Sequence, residues 1–316
     1  MTGHGATGRG ATGRGPTGRH SWSRRGFLRL GAALGAGALS GGCASAASAG
    51  SYAVGGSTLA RAREAGVISI GIANEAPYGY TGPDGTVTGE AVEVARAVFT
   101  DLGVPAVRPV TVDFGELIPG LTLARQFDVV TAGMFVTAQR CEAVAFSVPD
   151  YTAPTAFLVP RGNPRGVATF DQVREQDLRV AVLGGAVEYR YALDSGVSEA
   201  RVLPLADQQA LLLAVEAGRA DCAALTNISL NNVVAANPDT AVEVTPGFFP
   251  VIGGREVVSA GAFALRPGED DLLEAMNARL RAMQQSGEWL RIAQPFGFGP
   301  DNVPGEDVTT EGLCAG

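Results

Sequence analysis

Short apolar runs alternate with helical patterns from Leu59 to Ile292, and this alternation restricts the possible fold more than any other feature of the chain. The segment 67–72 is predominantly apolar and predicts a buried strand, whereas 90–102 carries apolar residues at helical spacing. The same alternation starts again after Pro149. Strands that alternate with helices indicate parallel sheets joined by crossover helices. We therefore predict an α/β fold of two lobes, each a mostly parallel sheet flanked by helices.

The pattern locates the other elements as well. Further strands are predicted at 107–112, 128–133, 156–159, 179–183, 201–205, 220–225 and 260–265. Further helices are predicted at 115–124, 186–193, 207–217 and 269–286, the last continuing to 292 after a glycine break.

The lengths of these segments suit one division of the chain. The predicted division is residues 56–150 plus 255–300 for the first lobe, 151–254 for the second lobe, and 301–316 for a C-terminal tail. The chain then crosses between the lobes near 151–161 and 245–260, and two crossings predict a hinge. Because clefts between α/β lobes are preferred ligand sites, we expect the ligand there.

Residues 1–42 predict an export signal rather than a folded segment. They carry six arginines and no acidic residue, and Arg24-Arg25 stands shortly before the apolar run 30–39. Paired arginines before a short apolar stretch are typical of the twin-arginine export signal, which is recognised by a receptor. We predict export by this route, with residues 43–55 as a flexible linker to the first lobe.

The cleavage site has two interpretations. Leu39-Ser40-Gly41-Gly42-Cys43 resembles a bacterial lipoprotein box, although its leucine stands four residues before the cysteine instead of three. Cleavage there makes Cys43 the lipid-bearing first residue and anchors the protein to the outer face of the cytoplasmic membrane. Ala44-Ser45-Ala46 and Ala47-Ser48-Ala49 are instead typical of ordinary signal-peptidase sites. We predict the lipoprotein, with the lipid as its only membrane contact.

Composition excludes several classes of chemistry. All 24 basic residues are arginine, and both histidines, His4 and His20, lie in the predicted leader. The folded part therefore has no Ser-His-Asp triad, Cys-His pair, histidine zinc site or Schiff-base lysine. After residue 42, 18 arginines face all 32 acidic residues, and a body this acidic repels nucleic-acid phosphates. We predict no cofactor, no metal and no nucleic-acid partner.

Export also places the cysteines where disulfides persist. If Cys43 carries a lipid, Cys141, Cys222 and Cys314 remain, so at most one intramolecular disulfide forms. Cys222 lies in the predicted strand 220–225, where a free cysteine suits burial as a small apolar residue. We therefore predict that Cys141 pairs with Cys314 and ties down the C-terminal tail.

Several short motifs along the chain form a recognisable set. In chain order they are Gly82-Pro83-Asp84-Gly85 with Gly89-Glu90, Leu117-Ile118-Pro119-Gly120-Leu121, Gly133-Met134-Phe135-Val136-Thr137-Ala138-Gln139-Arg140, Phe146-Ser147-Val148-Pro149-Asp150-Tyr151, Gly184-Gly185 and Gly218-Arg219-Ala220-Asp221. Together they resemble the solute-binding proteins of bacterial ABC importers, in the family that includes amino-acid binders. The resemblance covers about residues 56–300. It implies a binding protein, not an enzyme, that captures a small solute and delivers it to ABC permease subunits in the membrane.

The resemblance also implies how a carboxylate is held. In that family the arginine of a Thr-x-x-Arg segment binds the ligand's carboxylate, and Arg140 matches this arginine. A guanidinium holds a carboxylate with two parallel hydrogen bonds. Thr137, one turn earlier, is expected to donate its hydroxyl to the same group. Taken alone, Arg140 would suit surface pairing with Glu142 or Asp150 better.

Position 226 departs from the usual pattern of that family. Amino-acid binders usually carry an aspartate after the strand that ends in Ala-Leu, where it binds the α-ammonium, whereas Thr226 follows Ala223-Ala224-Leu225 here. A neutral hydroxyl is a poor counterpart for a compact ammonium. We therefore expect a ligand with a carboxylate and no free primary amine, and we place Thr226 in its site.

Aromatic residues follow three of the predicted strands. Tyr78, Phe114 and Phe135 each stand after the end of a strand, as ligand-binding residues of open α/β sheets do. Core packing is the alternative for these rings, and we favour the cleft. Because aromatic faces attract delocalised cations, the combination with Arg140 predicts a zwitterionic compatible solute.

A finer resemblance supports that ligand class. The motifs Asn74-Glu75-Ala76-Pro77-Tyr78-Gly79-Tyr80, Gly133-Met134-Phe135 and Arg140-Cys141-Glu142 resemble the ectoine/hydroxyectoine-binding proteins. This resemblance implies that Tyr78, Phe114 and Phe135 enclose the ligand's ring and that Glu75 accepts a hydrogen bond from its amidinium. It also implies that Glu188 closes over the ligand from the second lobe. An equally supported interpretation is that Glu188 is a solvent-exposed residue in the first turn of a helix, where the helix dipole favours a carboxylate.

Two other functions stay open. The same fold suits a binder of a polar amino acid, or the ligand-binding subunit of a sensor. Some exported dehydratases of the cyclohexadienyl type also resemble this fold. Without histidine or lysine, such chemistry would rest on Glu75 or Glu188 with a raised pKa.

Overall fold

Residues 56–316 are described by the structure, a computed structural model. The predicted leader, Cys43 and the linker up to residue 55 lie outside the described residues. The helices are α1 Thr58–Ala65, α2 Glu90–Asp101, α3 Leu117–Thr122, α4 Ala138–Cys141, α5 Phe170–Glu175, α6 Val187–Asp194, α7 Gln208–Glu216, α8 Asn227–Ala236, α9 Asp270–Ser286, α10 Glu288–Ala293 and α11 Thr310–Ala315. The strands are β1 Val67–Ile72, β2 Tyr80–Thr81, β3 Val87–Thr88, β4 Ala106–Thr111, β5 Val129–Val130, β6 Ala145–Phe146, β7 Tyr151–Thr152, β8 Thr155–Pro160, β9 Val180–Leu183, β10 Val202–Leu205, β11 Cys222–Thr226, β12 Val242–Val244, β13 Val251–Ile252, β14 Arg255–Glu256, β15 Ala260–Gly261 and β16 Ala264–Leu265.

The first of two five-stranded sheets has the strand order β4-β1-β5-β16-β6. Strand β1 pairs in parallel with β4, with Val67 opposite Ala106, and in parallel with β5, with Ile70 opposite Val129. Strand β16 runs antiparallel to both β5 and β6. We call the elements around this sheet the first lobe.

The second sheet repeats the same arrangement in the order β10-β9-β11-β8-β12. Strand β9 pairs in parallel with β10 and β11, and β8 runs antiparallel to β11 and β12. We call the elements around this sheet the second lobe. The predicted two-lobed α/β fold is confirmed, with mixed sheets in which three adjacent strands are parallel. The antiparallel pairings arise in the first lobe because β16 enters its sheet only after the chain has returned from the second lobe.

The two crossings between the lobes lie side by side. Strand β7 leaves the first lobe and pairs antiparallel with β15 on the return, with Tyr151 opposite Gly261. The predicted strand 260–265 is therefore divided into β15 and β16, which belong to different sheets. Its apolar sequence is continuous, but Ala262 and Phe263 carry the chain from one pairing partner to the next.

The core of the first lobe takes side chains from both β1 and α2. Ile68, Ile70 and Ile72 of β1 and Val94 and Val98 of α2 are buried in one hydrophobic cluster. Burial of each such side chain contributes about 1.5–3 kcal/mol. The predicted strand at 67–72 and the predicted helix starting at Glu90 are both observed, because residues 68–72 are all buried as a continuous segment and α2 buries one face.

A buried carboxyl pair holds the start of the first crossing. The Nε1–H of Trp289 in α10 donates to Asp150 Oδ1 at 2.7 Å, directly before β7. Burial raises the pKa of Asp150 to about 7 and that of the adjacent Glu90 well above its ordinary value. Two ionised carboxylates in one apolar space would repel each other, so this burial favours the protonated form of the pair.

The C-terminal segment is more ordered than a tail. Residues 310–315 form helix α11, and Cys314 forms a disulfide with Cys141 in α4, with the Cα atoms 5.8 Å apart. Cys222 is a buried free cysteine in β11. The disulfide therefore connects the end of the chain to the helix that carries Arg140.

Replacing Cys314 with alanine is expected to lower the free energy of unfolding by about 2–4 kcal/mol, because the disulfide closes a long loop and restricts the unfolded chain. The linked cysteines are separated by 173 positions. Urea unfolding of the mature protein measures the change. Reductant should shift the wild-type midpoint to that of Cys314→Ala and leave the variant unchanged. Equal midpoints for the two oxidised proteins would contradict the prediction.

Across residues 56–316, none of the helices combines the length and the apolar character needed to cross a lipid bilayer.

Candidate functional site

The loop after β1 brings Glu75 and Tyr78 to the carboxyl edge of the first sheet. The Tyr78 backbone N–H donates to the Glu75 carbonyl at 3.0 Å and closes a tight turn. The Tyr78 ring then lies against Gly133, where a Cβ atom would stand only 2.5 Å from the ring. Gly133 also has a φ of +63°, so both its conformation and its neighbour require glycine.

A cavity between the lobes collects most of the residues that the sequence predicted. Its free volume is about 20 Å³ in this structure, roughly the space of one water molecule, so a larger solute requires the lobes to separate. The predicted residues that line it are Glu75, Tyr78, Phe114, Phe135, Arg140, Glu188 and Thr226. The structure adds Gly133, Leu183, Ala186, Val187 and Leu225 to the lining.

Thr137 is the predicted site residue that does not line this cavity. Its hydroxyl oxygen instead accepts a hydrogen bond from the backbone N–H of Arg140 at 3.2 Å and caps α4. The predicted hydrogen bond from the Thr137 hydroxyl to a ligand carboxylate stays a prediction, because an oxygen that accepts the capping bond keeps its own proton to donate. The cap satisfies an N–H that a short helix would leave without a partner, and it positions Arg140.

Arg140 presents a guanidinium that is oriented by backbone carbonyls. Its Nη1 donates to the Phe135 carbonyl at 2.6 Å, and its Nη2 donates across the cleft to the Gly185 carbonyl at 2.9 Å. Within residues 56–316 it forms no ion pair, so the alternative pairing with Glu142 or Asp150 is not observed. Burial lowers the pKa of Arg140 to about 10, so the group is still charged at neutral pH.

The three predicted aromatic rings meet at the cavity from different loops. The guanidinium carbon of Arg140 lies 5.6 Å from the centroid of the Phe114 ring, within the range of a cation–π contact. Tyr151, which the sequence did not single out, stacks on Tyr78 with the centroids 5.2 Å apart. Its ring also contacts Phe135 at 6.0 Å. Tyr151 thus supports two of the lining rings from behind and restricts their movement.

Two hydrogen bonds join the lobes at one side of the cavity. The Tyr78 hydroxyl donates to Thr226 Oγ1 at 3.0 Å, and the Ser229 hydroxyl donates to Glu75 Oε1 at 2.6 Å. Thr226 also caps α8, because its oxygen accepts from the backbone N–H of Ser229. The strand end and first helical turn of the second lobe therefore hold two first-lobe side chains in place.

Both carboxyl groups of the cavity have altered acidity. Burial raises the pKa of Glu75 to about 8, although the hydrogen bond from Ser229 opposes this rise. Burial raises the pKa of Glu188 to about 7, opposed in part by the charge of Arg140. Glu188 accepts a hydrogen bond from Thr155 at 3.4 Å and is buried, so the interpretation as a solvated helix residue is not observed.

Sequence reasoning missed the second-lobe residues Ser229, Gly185 and Thr155. Ser229 lies one turn after Thr226 at the end of a predicted strand, and that position was the available signal. Helix α8 itself was not predicted, because its asparagines interrupt the apolar spacing. The site fits a small solute with an anionic and a cationic end, since it offers one guanidinium, two carboxyls and aromatic walls.

Among the described residues, no three His, Cys, Asp or Glu side chains are grouped so that they could hold a metal ion.

Comparisons with known proteins agree with this geometry. The family model of the bacterial extracellular solute-binding proteins, family 3, matches residues 68–300. A probable amino-acid ABC transporter periplasmic-binding protein of Sinorhizobium fredii is 34% identical over 264 residues, which cover 83% of this chain and 87% of that protein.

Two solved structures bear on the ligand and on catalysis. The crystal structure of EhuB in complex with hydroxyectoine is 35% identical, with a TM-score of 0.73, and covers 81% of this chain and 97% of that one. The ancestral amino-acid-binding protein AncCDT-1, a precursor of cyclohexadienyl dehydratase, is 25% identical with a TM-score of 0.66, covering 76% of this chain and 99% of that one.

Proposed function

Because the chain belongs to the bacterial extracellular solute-binding proteins, family 3, we propose that it captures the zwitterionic compatible solute ectoine or hydroxyectoine between its lobes. It is a solute-binding protein of the amino-acid ABC importer type, and such proteins deliver small solutes to permease subunits. In the proposed cycle the crossings at β7 and β15 act as the hinge. The lobes close on the solute, and the closed protein then docks on its permease.

The observation that carries this proposal is the charged Arg140 guanidinium at a small cavity with aromatic walls. Two of its N–H groups are used by the carbonyls of Phe135 and Gly185, and three remain for an anion. No carboxylate of residues 56–316 occupies them as an ion pair. A ligand carboxylate at this guanidinium would gain about 1.5–3 kcal/mol from each charge-assisted hydrogen bond.

The other end of the proposed ligand is a delocalised cation. Glu75 and Glu188 offer it carboxyl oxygens, and Tyr78, Phe114 and Phe135 offer it ring faces. A desolvated cation–π contact contributes ~2 kcal/mol or more. Because micromolar affinity requires about 8 kcal/mol net, these contacts together with burial suffice after ordering costs. EhuB, which binds hydroxyectoine in its crystal structure, supports the assignment.

A polar amino acid is the second candidate ligand. The Sinorhizobium fredii relative is described as an amino-acid transport protein, and two carboxyl groups in the cavity would also suit an α-ammonium. Thr226 in place of the expected aspartate argues against it, since a hydroxyl carries no charge. A role as the ligand-binding subunit of a sensor would use the same site.

A dehydratase is the third candidate. The similarity to the precursor AncCDT-1 and the raised pKa values of Glu75 and Glu188 favour its consideration. The curated relatives are binding proteins of transporters. We therefore expect no turnover when the protein is incubated with prephenate or arogenate.

The family is extracytoplasmic, and we propose that this chain reaches its site by the twin-arginine route and is held by a lipid on Cys43. These features rest on the sequence of residues 1–43. Mass spectrometry of the mature protein tests them. A lipid-modified N-terminal Cys43 is expected, and an unmodified chain that begins near residue 47 or 50 would contradict the anchor.

Calorimetry with the mature protein tests the ligand. Ectoine and hydroxyectoine are titrated beside proline, glycine betaine and glutamine. Micromolar or tighter binding of the ectoines alone is expected. Binding of glutamine instead would keep the importer function and discard the ectoine assignment, and binding of none would contradict every candidate ligand tested.

A further inference from the structure

Glu75 lies between the lobes with little to balance a negative charge. Among the described residues, the Ser229 hydroxyl is its hydrogen-bond donor, at 2.6 Å, and no arginine forms an ion pair with it. The titratable groups that interact with it are Glu188 from α6, Tyr78 from its own loop and Tyr151 from β7. From α8 the group that meets it is the neutral hydroxyl of Ser229.

The acidic side chains of the cavity lining outnumber its basic ones. Glu75 and Glu188 line it together with Arg140, the single arginine of its lining. The charge of Arg140 acts on Glu188, whereas the causes that set the acidity of Glu75 include no cation. With both carboxyls ionised, the closed cavity would hold an uncompensated negative charge, which burial makes costly.

We propose that Glu75 determines specificity through lobe closure: its carboxyl must be neutralised when the lobes close, either by a proton or by the cationic group of the ligand. The inference rests on the proposed function in that the ligand carries a cation. A ligand without a cation would leave the charge of Glu75 in place and would oppose closure. Lobe closure then selects for a zwitterionic ligand, in addition to the selection made by the direct contacts between the ligand and the cavity.

Closure of the ligand-free protein should therefore depend on pH. With the lobes open, water solvates Glu75 and its pKa is expected near the ordinary 4.5, whereas burial in the closed form raises it to about 8. Because the closed form binds the additional proton, the fraction of closed molecules is largest at low pH. This fraction falls as the pH rises from about 4.5 to about 8. From pH 5.5 to 8, Glu75 alone should lower the closure equilibrium constant on the order of 100-fold.

Energy transfer between dyes on the two lobes measures this closure. Leu123 of the first lobe and Leu213 of the second are exposed, so Leu123→Cys and Leu213→Cys offer attachment sites, while Cys222 is buried. Without ligand, transfer should rise as the pH falls from 8 to 5.5. At pH 8, ectoine should produce the closed signal without acidification, because its cation replaces the proton.

Three variants separate the effect of Glu75 from general effects of pH on closure. Glutamine at position 75 stays neutral at every pH, so ligand-free Glu75→Gln should lose most of the pH dependence of lobe closure. The double variant Glu75→Gln with Glu188→Gln should lose the rest of that pH dependence. Glu64→Gln, on the exposed surface of α1, should behave as the wild type. Melting temperatures confirm that each variant is folded.

The outcomes distinguish this inference from the proposed function. A ligand-free wild type whose transfer does not change between pH 5.5 and 8 overturns the role of Glu75, even if ectoine binds. A Glu75→Gln profile identical to the wild type overturns it as well. If closure depends on pH as expected but ectoine does not close the lobes, the role of Glu75 stands and the ectoine assignment fails.

Discussion

Arg140→Ala is expected to weaken ectoine binding by roughly 30- to 4,000-fold while the protein stays folded, since loss of one partner of a buried charge pair costs about 2–5 kcal/mol. The guanidinium donates to the carbonyls of Phe135 and Gly185, and Arg140 lines the cavity. Without it, a carboxylate would be desolvated with no counter-charge. Calorimetric titration of the variant measures the loss.

Arg190→Ala is the matched control for this loss. Arg190 carries the same guanidinium group, but it lies on the surface of α6 and pairs with Asp194. Its removal should change ectoine affinity less than twofold, because exposed ion pairs contribute about 0–1 kcal/mol and this one lies outside the cavity lining. Arg140→Lys keeps the positive charge but lacks the planar guanidinium, so its ectoine affinity should lie between those of Arg140→Ala and Arg190→Ala. An unchanged affinity for Arg140→Ala would contradict the central assignment of the site.

Gly185→Ala is expected to weaken ligand binding by roughly 5- to 150-fold, because a methyl group at this position obstructs closure at a cost of about 1–3 kcal/mol. A Cβ atom on Gly185 would lie 2.6 Å from the Cα of Gly115 in the other lobe. The backbones of the two lobes approach each other here without intervening side chains. Open lobes are free of this clash, so the variant should fold and close poorly.

Gly218→Ala separates the clash from backbone strain. Gly185 and Gly218 both have positive φ, +83° and +65°, so alanine strains the backbone at either position. A Cβ on Gly218 would meet nothing within 4 Å. The two variants should therefore lose similar thermal stability, while only Gly185→Ala loses affinity. Equal affinity in both would show that the Gly115–Gly185 approach does not limit closure.

The sequence predicted the elements whose burial follows a regular period. Strand β1 and helix α2 were located within one or two residues, because each buries one continuous apolar segment or face. The predicted strand 128–133 was too long, since only Val129 and Val130 pair as β5 before the chain turns at Gly133. Pairing depends on partners that are distant in sequence, and no local pattern specifies them.

The residues of the site were predicted more fully than their arrangement. Aromatic residues after strand ends indicated Tyr78, Phe114 and Phe135, because parallel strands bring their carboxyl ends to one edge, and the resemblance of the Thr-x-x-Arg segment indicated Arg140. The ligand contact predicted for Thr137 stays a prediction, and in this structure its oxygen caps α4. Ser229 was missed because its helix lacks clear apolar spacing and its partner is 154 residues away.

The sequence by itself determined the chemistry available to this protein: arginine as the only downstream cation, no histidine or lysine to catalyse, and an alternation of strands and helices that yields two lobes. Only the tertiary structure decided which groups meet across the cleft, such as Tyr78 with Thr226 and Gly115 with Gly185. It also decided that Glu75 is buried beside Ser229 with no arginine in an ion pair within residues 56–316, and this burial raises its pKa. The acidity of a carboxyl depends on how much water and which charges surround it, and that environment exists only once the two lobes come together.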